Sequence, residues 1–346
     1  MNVRPGSFQR PSTLAGAALL AWLAGGLAAA AEPRPAVARR IEEADGNKNS
    51  PIAVEREEGE PAAGLQAERD EQVEFLRLKR DAKGGPLSLD TAIVRYRETP
   101  AAAARAGRKT PLEVDLVGAV HLGGRGYYDE LDRRFKDYDA VLYELVAPDN
   151  ARVPKPGRKA SGAIGSAQQG MTKMLGLEFQ LEQIDYTAPN FVHADLSPRE
   201  FDAAMAKRGE SWWTMFARLM QESVERAERG ESTGPEVGIR DFIAILFGID
   251  REVRLRRIMA EQFTDMDVLT AAFGGEEGSS LITDRNAAAI DVLRGQIRKG
   301  RRRIAIFYGA AHMEDFDRRL RKEFDLQPRE TIWLEAWDLR TPAGRN

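Results

Sequence analysis

Hydrophobic positions first become regular near Val73. VEFLRLKR alternates apolar and polar residues, the period-two pattern of a half-buried strand, Gly84 and Gly85 break the chain, and AIVRYRE predicts another strand. These two runs predict an N-terminal β-hairpin or an edge of a larger sheet. From Leu112 the pattern changes: LEVDLVGAV predicts a strand and leads into a Gly-rich turn. Tyr127, Leu131 and Phe135 then fall at i, i+4 and i+8, one face of a helix. AVLYELV is almost wholly apolar, as strands covered on both faces are. A Gly/Lys/Pro-rich loop over 154–165 precedes a helix expected from about Ser166, and NFVHAD predicts a short strand. Ser197-Pro198-Arg199-Glu200 is a helix start, with Ser197 as N-cap and Pro198 in the first turn. The pattern from 198 to 299 is helical, interrupted at Gly230–Gly238 and Gly274–Ser280. RRIAIFYGAAH predicts a strand, Phe316, Leu320 and Phe324 one helix face, and TIWLEAWDL a last strand. Strands alternating with helices predict an α/β fold, a mainly parallel sheet flanked by helices, with a helical insertion over 198–299.

The first 70 residues do not share this pattern. Arg4 and Arg10 precede the apolar run LAGAALLAWLAGGL, and Ala28–Ala31 offer small-residue cleavage positions, so 1–31 is expected to be a signal peptide. The run is short for a span of about 20 residues, which favours cleavage over a retained anchor and leaves no stable membrane span. An exported protein, periplasmic or secreted, is the expectation. Residues 32–70, with EREEGEPAAG and almost no aromatics, are expected to form a disordered linker, because so little apolar area cannot offset ordering entropy. The folded domain is then 71–342.

Composition narrows the chemistry. With 51 basic and 54 acidic side chains the net charge of −3 gives no general drive toward nucleic acid. The basic runs at 251–257 and 298–303 lack interleaved aromatics and read as solvated faces. The absence of cysteine excludes disulfides, thiolate metal ligands and thiol nucleophiles. Imidazole chemistry must come from His121, His193 or His312, the only three histidines.

Two of these share a context. VDLVGAVH (114–121) and IAIFYGAAH (304–312) are each an apolar strand ending in Gly-x-x-His and running into an amphipathic helix. Both histidines therefore lie past the carboxyl ends of strands, where open α/β sheets place their ligands. Gly118 and Gly309 are the structural turn positions, allowing a sharp turn or a close backbone approach. Two such turns can aim two imidazoles at one divalent metal, since neutral imidazole is its commonest protein ligand. Glu144 closes the apolar strand AVLYELV, where an unpaired carboxylate is expensive. If that strand neighbours the His121 strand, Glu144 opens onto the same crevice as metal ligand or general base. Pairing with a buried arginine is the competing role, and Arg285 in DRNAAAI is the candidate; such an arginine can also orient a catalytic carboxylate or bind a substrate carbonyl.

Gly118-Ala-Val-His121, Glu144, Asp284-Arg285-Asn286 and Gly309-Ala-Ala-His312 together resemble the TraB/GumN family. That family includes the Tiki metalloproteases and is more distantly similar to the ChaN haem-binding proteins and erythromycin esterases. The resemblance covers about residues 110 to 340 with the motif order kept, and Asp284 replaces the glutamate common before the arginine. It implies an α/β fold whose two GxxH turns and glutamate form the active centre. His121 and His312 would be metal ligands, Glu144 ligand or base, and Arg285 a site-orienting or substrate-binding residue. The implied function is metal-dependent hydrolysis of peptide or other small acyl bonds, with Mn2+, Co2+ or Zn2+ as cofactor. The alternative is a metal- or haem-binding protein that uses the same crevice without turnover.

His193 follows another short apolar run, next to Asp195. It is a candidate further metal ligand or proton shuttle, against a structural histidine partnered by Asp195. Gly123, Gly124 and Gly126 offer either an anion nest or a plain turn. Trp212, Trp213, Met215 and Phe216 are read as core packing or as a wall over the crevice.

Overall fold

A computed structural model describes residues 73–147, 157, 162–211, 214, 250–264 and 278–341. The expected signal segment, the linker and the Trp212–Phe216 cluster lie outside the described residues, apart from Thr214. The chain opens with β1 (Leu76–Arg80) and β2 (Pro86–Glu98), then α1 (Pro100–Arg105) and β3 (Glu113–Ala119). A two-residue β4 (Leu122–Gly123) precedes α2 (Arg125–Phe135) and β5 (Ala140–Tyr143). Next come α3 (Gly162–Leu175), β6 (Glu178–Phe179), α4 (Gln180–Gln183), β7 (Phe191–His193) and α5 (Pro198–Arg208). Helices α6 (Arg251–Phe263) and α7 (Arg285–Arg298) are followed by β8 (Arg303–Gly309), α8 (Met313–Phe324) and β9 (Leu326–Asp338).

Seven strands form one sheet, four of them parallel and running in from one edge in the order β7–β5–β8–β3. Antiparallel β2 adds to β3 through Ile93–Arg97, while the first half of β2 pairs β1 as the expected hairpin. Strand β9 runs antiparallel along the other edge of β2, from Ser88 to Glu98. The N-terminal hairpin is therefore both a hairpin and part of the main sheet.

Period-two alternation fills both faces. Val117, Val141 and Phe307 point to the side where Tyr127, Leu131 and Phe135 of α2 pack. Their neighbours Leu116, Leu142 and Ile306 point to the other, against Ala289, Ile290 and Leu293 of α7 and Phe316 and Leu320 of α8. Each such aliphatic or aromatic side chain contributes about 1.5–3 kcal/mol on burial. Helix α7, inside the stretch expected to be an insertion, thus packs on the sheet and leads directly into β8. Helix α5 starts as its sequence predicts: Ser197 accepts from the Glu200 N–H and Glu200 reaches back to the Ser197 N–H, a closed capping box.

Candidate functional site

Strand register brings the site together. Ala119 of β3 lies opposite Gly309 of β8, and Tyr143 of β5 lies opposite both Phe307 of β8 and His193 of β7. The carboxyl ends of four parallel strands therefore finish at nearly one level. His121 stands two residues past the end of β3, Glu144 directly past β5 and Asp195 two residues past β7. His312 ends a single 3₁₀ turn, Ala310–His312, that links β8 to α8. Arg285 and Asn286 are the first two residues of α7, delivered by a π-helical turn at Ser280–Asp284. Buried Glu210 accepts from the backbone and hydroxyl of Ser280 and ties that turn to the end of α5.

One expectation about this arrangement is corrected. The Glu144 strand does not neighbour the His121 strand, because β8 lies between β3 and β5. A strand contributed late in the chain has been inserted between two earlier ones, which a sequential βαβ reading does not anticipate. The consequence for the site is favourable: the His312 turn sits between His121 and Glu144.

Gly309 marks the centre. A Cβ placed on it would lie 3.5 Å from Glu144 Oε2, 3.8 Å from His121 Nε2 and 3.8 Å from His312 Cδ2. Three chemically competent side chains thus converge on a point left open by a missing methyl group. Gly118 lies away from this point: a Cβ there would meet the backbone oxygens of Ala92 and Phe75 and Met313 at ordinary contact distance.

The two imidazoles are held in matching ways. Asn286 donates through Nδ2 to the His312 carbonyl at 3.0 Å and to Asp315 at 2.9 Å, which turns its Oδ1 onto His312 Nδ1 at 2.6 Å. His312 Nδ1 must then carry a proton, and its Nε2 stands 3.6 Å from Glu144 Oε1. Gln180 performs the same task for His121. Its Oε1 is 3.3 Å from His121 Nδ1, its Nε2 donates to Tyr186 and its backbone N–H donates to the His121 carbonyl. The β4–β6 ribbon carries Gln180 to this position, since β6 runs directly into α4.

Glu144 has partners on both oxygens: Arg285 Nη2 donates to Oε1 at 2.7 Å and the Gly309 N–H to Oε2 at 2.8 Å. Arg285 also grips Asp195 with a fork, Nε to Oδ1 at 2.9 Å and Nη2 to Oδ2 at 2.6 Å. Burial alone would raise the Glu144 pKa, but Arg285, His312 and His121 outweigh it and hold the carboxyl well below the usual range. Burial also favours loss of the Arg285 charge, and the two carboxylates reverse that, so the guanidinium stays charged. His121 keeps part of its surface exposed. Desolvation still pushes its pKa below the ordinary value, with Arg285 and His312 adding to the effect and Glu144 and Gln180 opposing it. Apart from the imidazoles, two carboxylates and one guanidinium give the centre −1.

The chain matches no protein-family model, no curated protein and no solved structure. Its site is accordingly read from its own geometry.

Of the residues singled out in the sequence, His121, Glu144, Arg285, Gly309 and His312 come together and His193 does not join them. His193 Nε2 meets the Leu145 carbonyl at 2.6 Å, and its ring packs edge-on to Tyr143. Its expected partner Asp195 is engaged by Arg285 instead. In the Gly123–Gly126 turn the Gly124 N–H donates to Ala336 and a Cβ on Gly123 would strike Tyr127 and Tyr128, while Gly126 is exposed. Asp284 pairs with Arg208 away from the centre. Asp195 as an arginine anchor, and Asn286 and Gln180 as ring-orienting amides, went unread. Asn286 beside Arg285 in DRN was the one visible signal.

Among the described residues no three His, Asp or Glu side chains stand at metal-ligand spacing, and no helix is long and apolar enough to cross a membrane. The donor set nevertheless suits a divalent cation in three respects. His121 Nε2 and Glu144 flank the space over Gly309 with His312 Nε2 3.6 Å from the same carboxylate, each ring is fixed through Nδ1 as metal-bound histidines are, and the surrounding carboxylates outnumber the guanidinium.

Proposed function

We propose that this protein is an exported, divalent-metal-dependent hydrolase of peptide or other small acyl bonds. The observation that carries the reading is the convergence of His121, His312 and Glu144 on the space over Gly309, with the Nδ1 of each ring engaged by an amide oxygen. The resemblance to the TraB/GumN family, on the same residues, supports the same reaction class.

His121, His312 and Glu144 would hold the cation. A divalent ion there supplies Lewis acidity toward an acyl carbonyl and acidifies water to a pKa of about 7. Glu144 is held so firmly ionised that it is a weak proton acceptor, which suits it to balancing positive charge better than to taking a proton from water. Arg285 Nη1 finds no acceptor among the described residues, so its two N–H groups are available to a substrate carbonyl oxygen. Asn286 and Gln180 keep the imidazoles in one tautomer and orientation throughout.

The test is elemental analysis of purified protein, then titration with Mn2+, Co2+ and Zn2+ and assay against a peptide and ester library. Bound metal and metal-dependent hydrolysis are expected, both lost in His121→Ala and His312→Ala. Metal content and activity untouched by those substitutions would overturn the assignment. Tight metal binding without turnover would make this a metal-binding protein.

A further inference from the structure

We infer that Asp195 is a positioning residue of this centre, which divides the Arg285 guanidinium between two carboxylates and so keeps Glu144 turned toward the imidazoles. The inference rests on the cation-binding reading above, because the quantity it alters is cation affinity.

Asp195 has no exposed side-chain surface and sits 90 residues from Arg285 in the chain. Its Oδ1 accepts both from Arg285 Nε and from the Leu196 N–H at 2.8 Å, so the carboxylate is itself fixed in place. Its Oδ2 accepts from Nη2. The Nε/Nη2 edge, the one that forms a bidentate fork, is therefore spent on Asp195. Glu144 receives a single bond from the remaining hydrogen of Nη2, on Oε1. Its other oxygen accepts from Gly309 and faces the open point shared with the two histidines. Without the Asp195 charge, the fork has a stronger partner within reach in Glu144. A bidentate Arg285–Glu144 pair would draw the carboxylate from the imidazoles and use lone pairs that now face them.

Charge points the same way. Glu144, Asp195 and Arg285 sum to −1, Asp195→Asn brings the sum to zero, and Asp195→Asn with Arg285→Met restores −1. An effect exerted through Arg285 must therefore be reversed by removing Arg285. A residue that only supports the local fold would instead show losses that accumulate.

The experiment is Mn2+ binding to the full chain at pH 7, by calorimetry and by the electron-spin-resonance signal of free Mn2+. Asp195→Asn should bind Mn2+ about 10–100-fold more weakly than the wild type, the range for residues that orient metal ligands. Asp195→Asn/Arg285→Met should return to within about threefold of the wild type, with the Co2+ absorption spectrum of the wild-type site. Equal affinity in Asp195→Asn and wild type would overturn the inference, as would a double variant weaker than Asp195→Asn. A wild type that binds no Mn2+, Co2+ or Zn2+ would instead sink the cation reading itself. Should Asp195→Asn alone not fold, as judged by circular dichroism, the double variant carries the test: wild-type-like affinity supports the inference, and a loss beyond tenfold overturns it.

Discussion

Replacing Arg285 by Met tests the electrostatics of the site in metal-free protein. The substitution keeps much of the side-chain volume and removes a charge that is 6% exposed and faces two carboxylates, Glu144 at 5% and Asp195 at 0%. Removing one partner of a buried ion pair typically costs about 3–5 kcal/mol, because the other charge is left uncompensated. A stranded carboxylate has an escape, which is to take a proton. From an ordinary pKa near 4, that costs about 4 kcal/mol at pH 7 and only about 1.5 kcal/mol at pH 5, at roughly 1.4 kcal/mol per unit. Urea denaturation of the chelator-treated protein should therefore show a loss of about 3–5 kcal/mol at pH 7. In a domain of this size that is a fall in Tm of about 6–20 °C. The loss should shrink by at least about 2 kcal/mol at pH 5, as protonation relieves the stranded carboxylates. Adding Glu144→Gln and Asp195→Asn to Arg285→Met should recover much of the stability at pH 7. A loss below about 1 kcal/mol at pH 7, or one that does not change with pH, would refute the picture of two carboxylates held ionised by one guanidinium.

Three further substitutions probe other links in the argument. Gly309→Ala places a methyl at ordinary contact distance from Glu144 and both imidazoles, on a backbone with φ −54° that alanine adopts freely. Stability should change by less than about 1 kcal/mol while metal binding and hydrolysis are lost, and unaltered metal affinity would show that this space is not the site. Glu98 is fully buried against Arg108 and the Leu112 N–H, and the Arg108 hydrogen bond leads in holding its pKa below the ordinary value. A depressed carboxyl stabilises above the unfolded pKa of about 4.3 and loses that contribution as pH falls through the folded value, so wild type and Glu98→Gln should converge in Tm on acidification below pH 4; parallel curves would count against it. Trp337 is buried, packs edge-on to Phe263 and donates to the Leu122 carbonyl at 2.6 Å, so Trp337→Ala should cost about 3–5 kcal/mol in chemical denaturation, and a loss under 1 kcal/mol would place it outside the core.

Much of the scaffold was legible because its signals are local. The strand patterns of VEFLRLKR and AIVRYRE, the i, i+4, i+8 spacing of Tyr127, Leu131 and Phe135, and the Ser197–Glu200 cap each concern a few neighbouring residues, and each marks an element of the structure. The histidines could be placed because a strand followed by Gly-x-x-His puts its last residue beyond a sheet end wherever that strand lies. What stayed hidden depends on which strand ends meet. Nothing in the period of β8 says that it enters between β3 and β5, and that insertion makes His312 the neighbour of both His121 and Glu144. Asp195 was assigned to the nearest histidine in sequence, whereas the buried Arg285 charge, far away in the chain, is the stronger attractor. Asn286 and Gln180 carry no charge and follow no periodicity, so their role emerges only with the rings they hold.

Those two amides also fix a proton inventory. Each presents a carbonyl oxygen to Nδ1, so each ring carries a proton on the side away from the centre. Histidine sites without such locks must change tautomer or shed a proton when an ion arrives, so loading varies steeply with pH and buffer. Here neither ring has to change tautomer, and desolvation keeps His121 neutral below the pH at which a free imidazole charges. Ion uptake at neutral pH should then release close to no protons from His121 and Glu144, so the buffer-dependent part of its calorimetric heat reports protons lost elsewhere, those of ion-bound water among them.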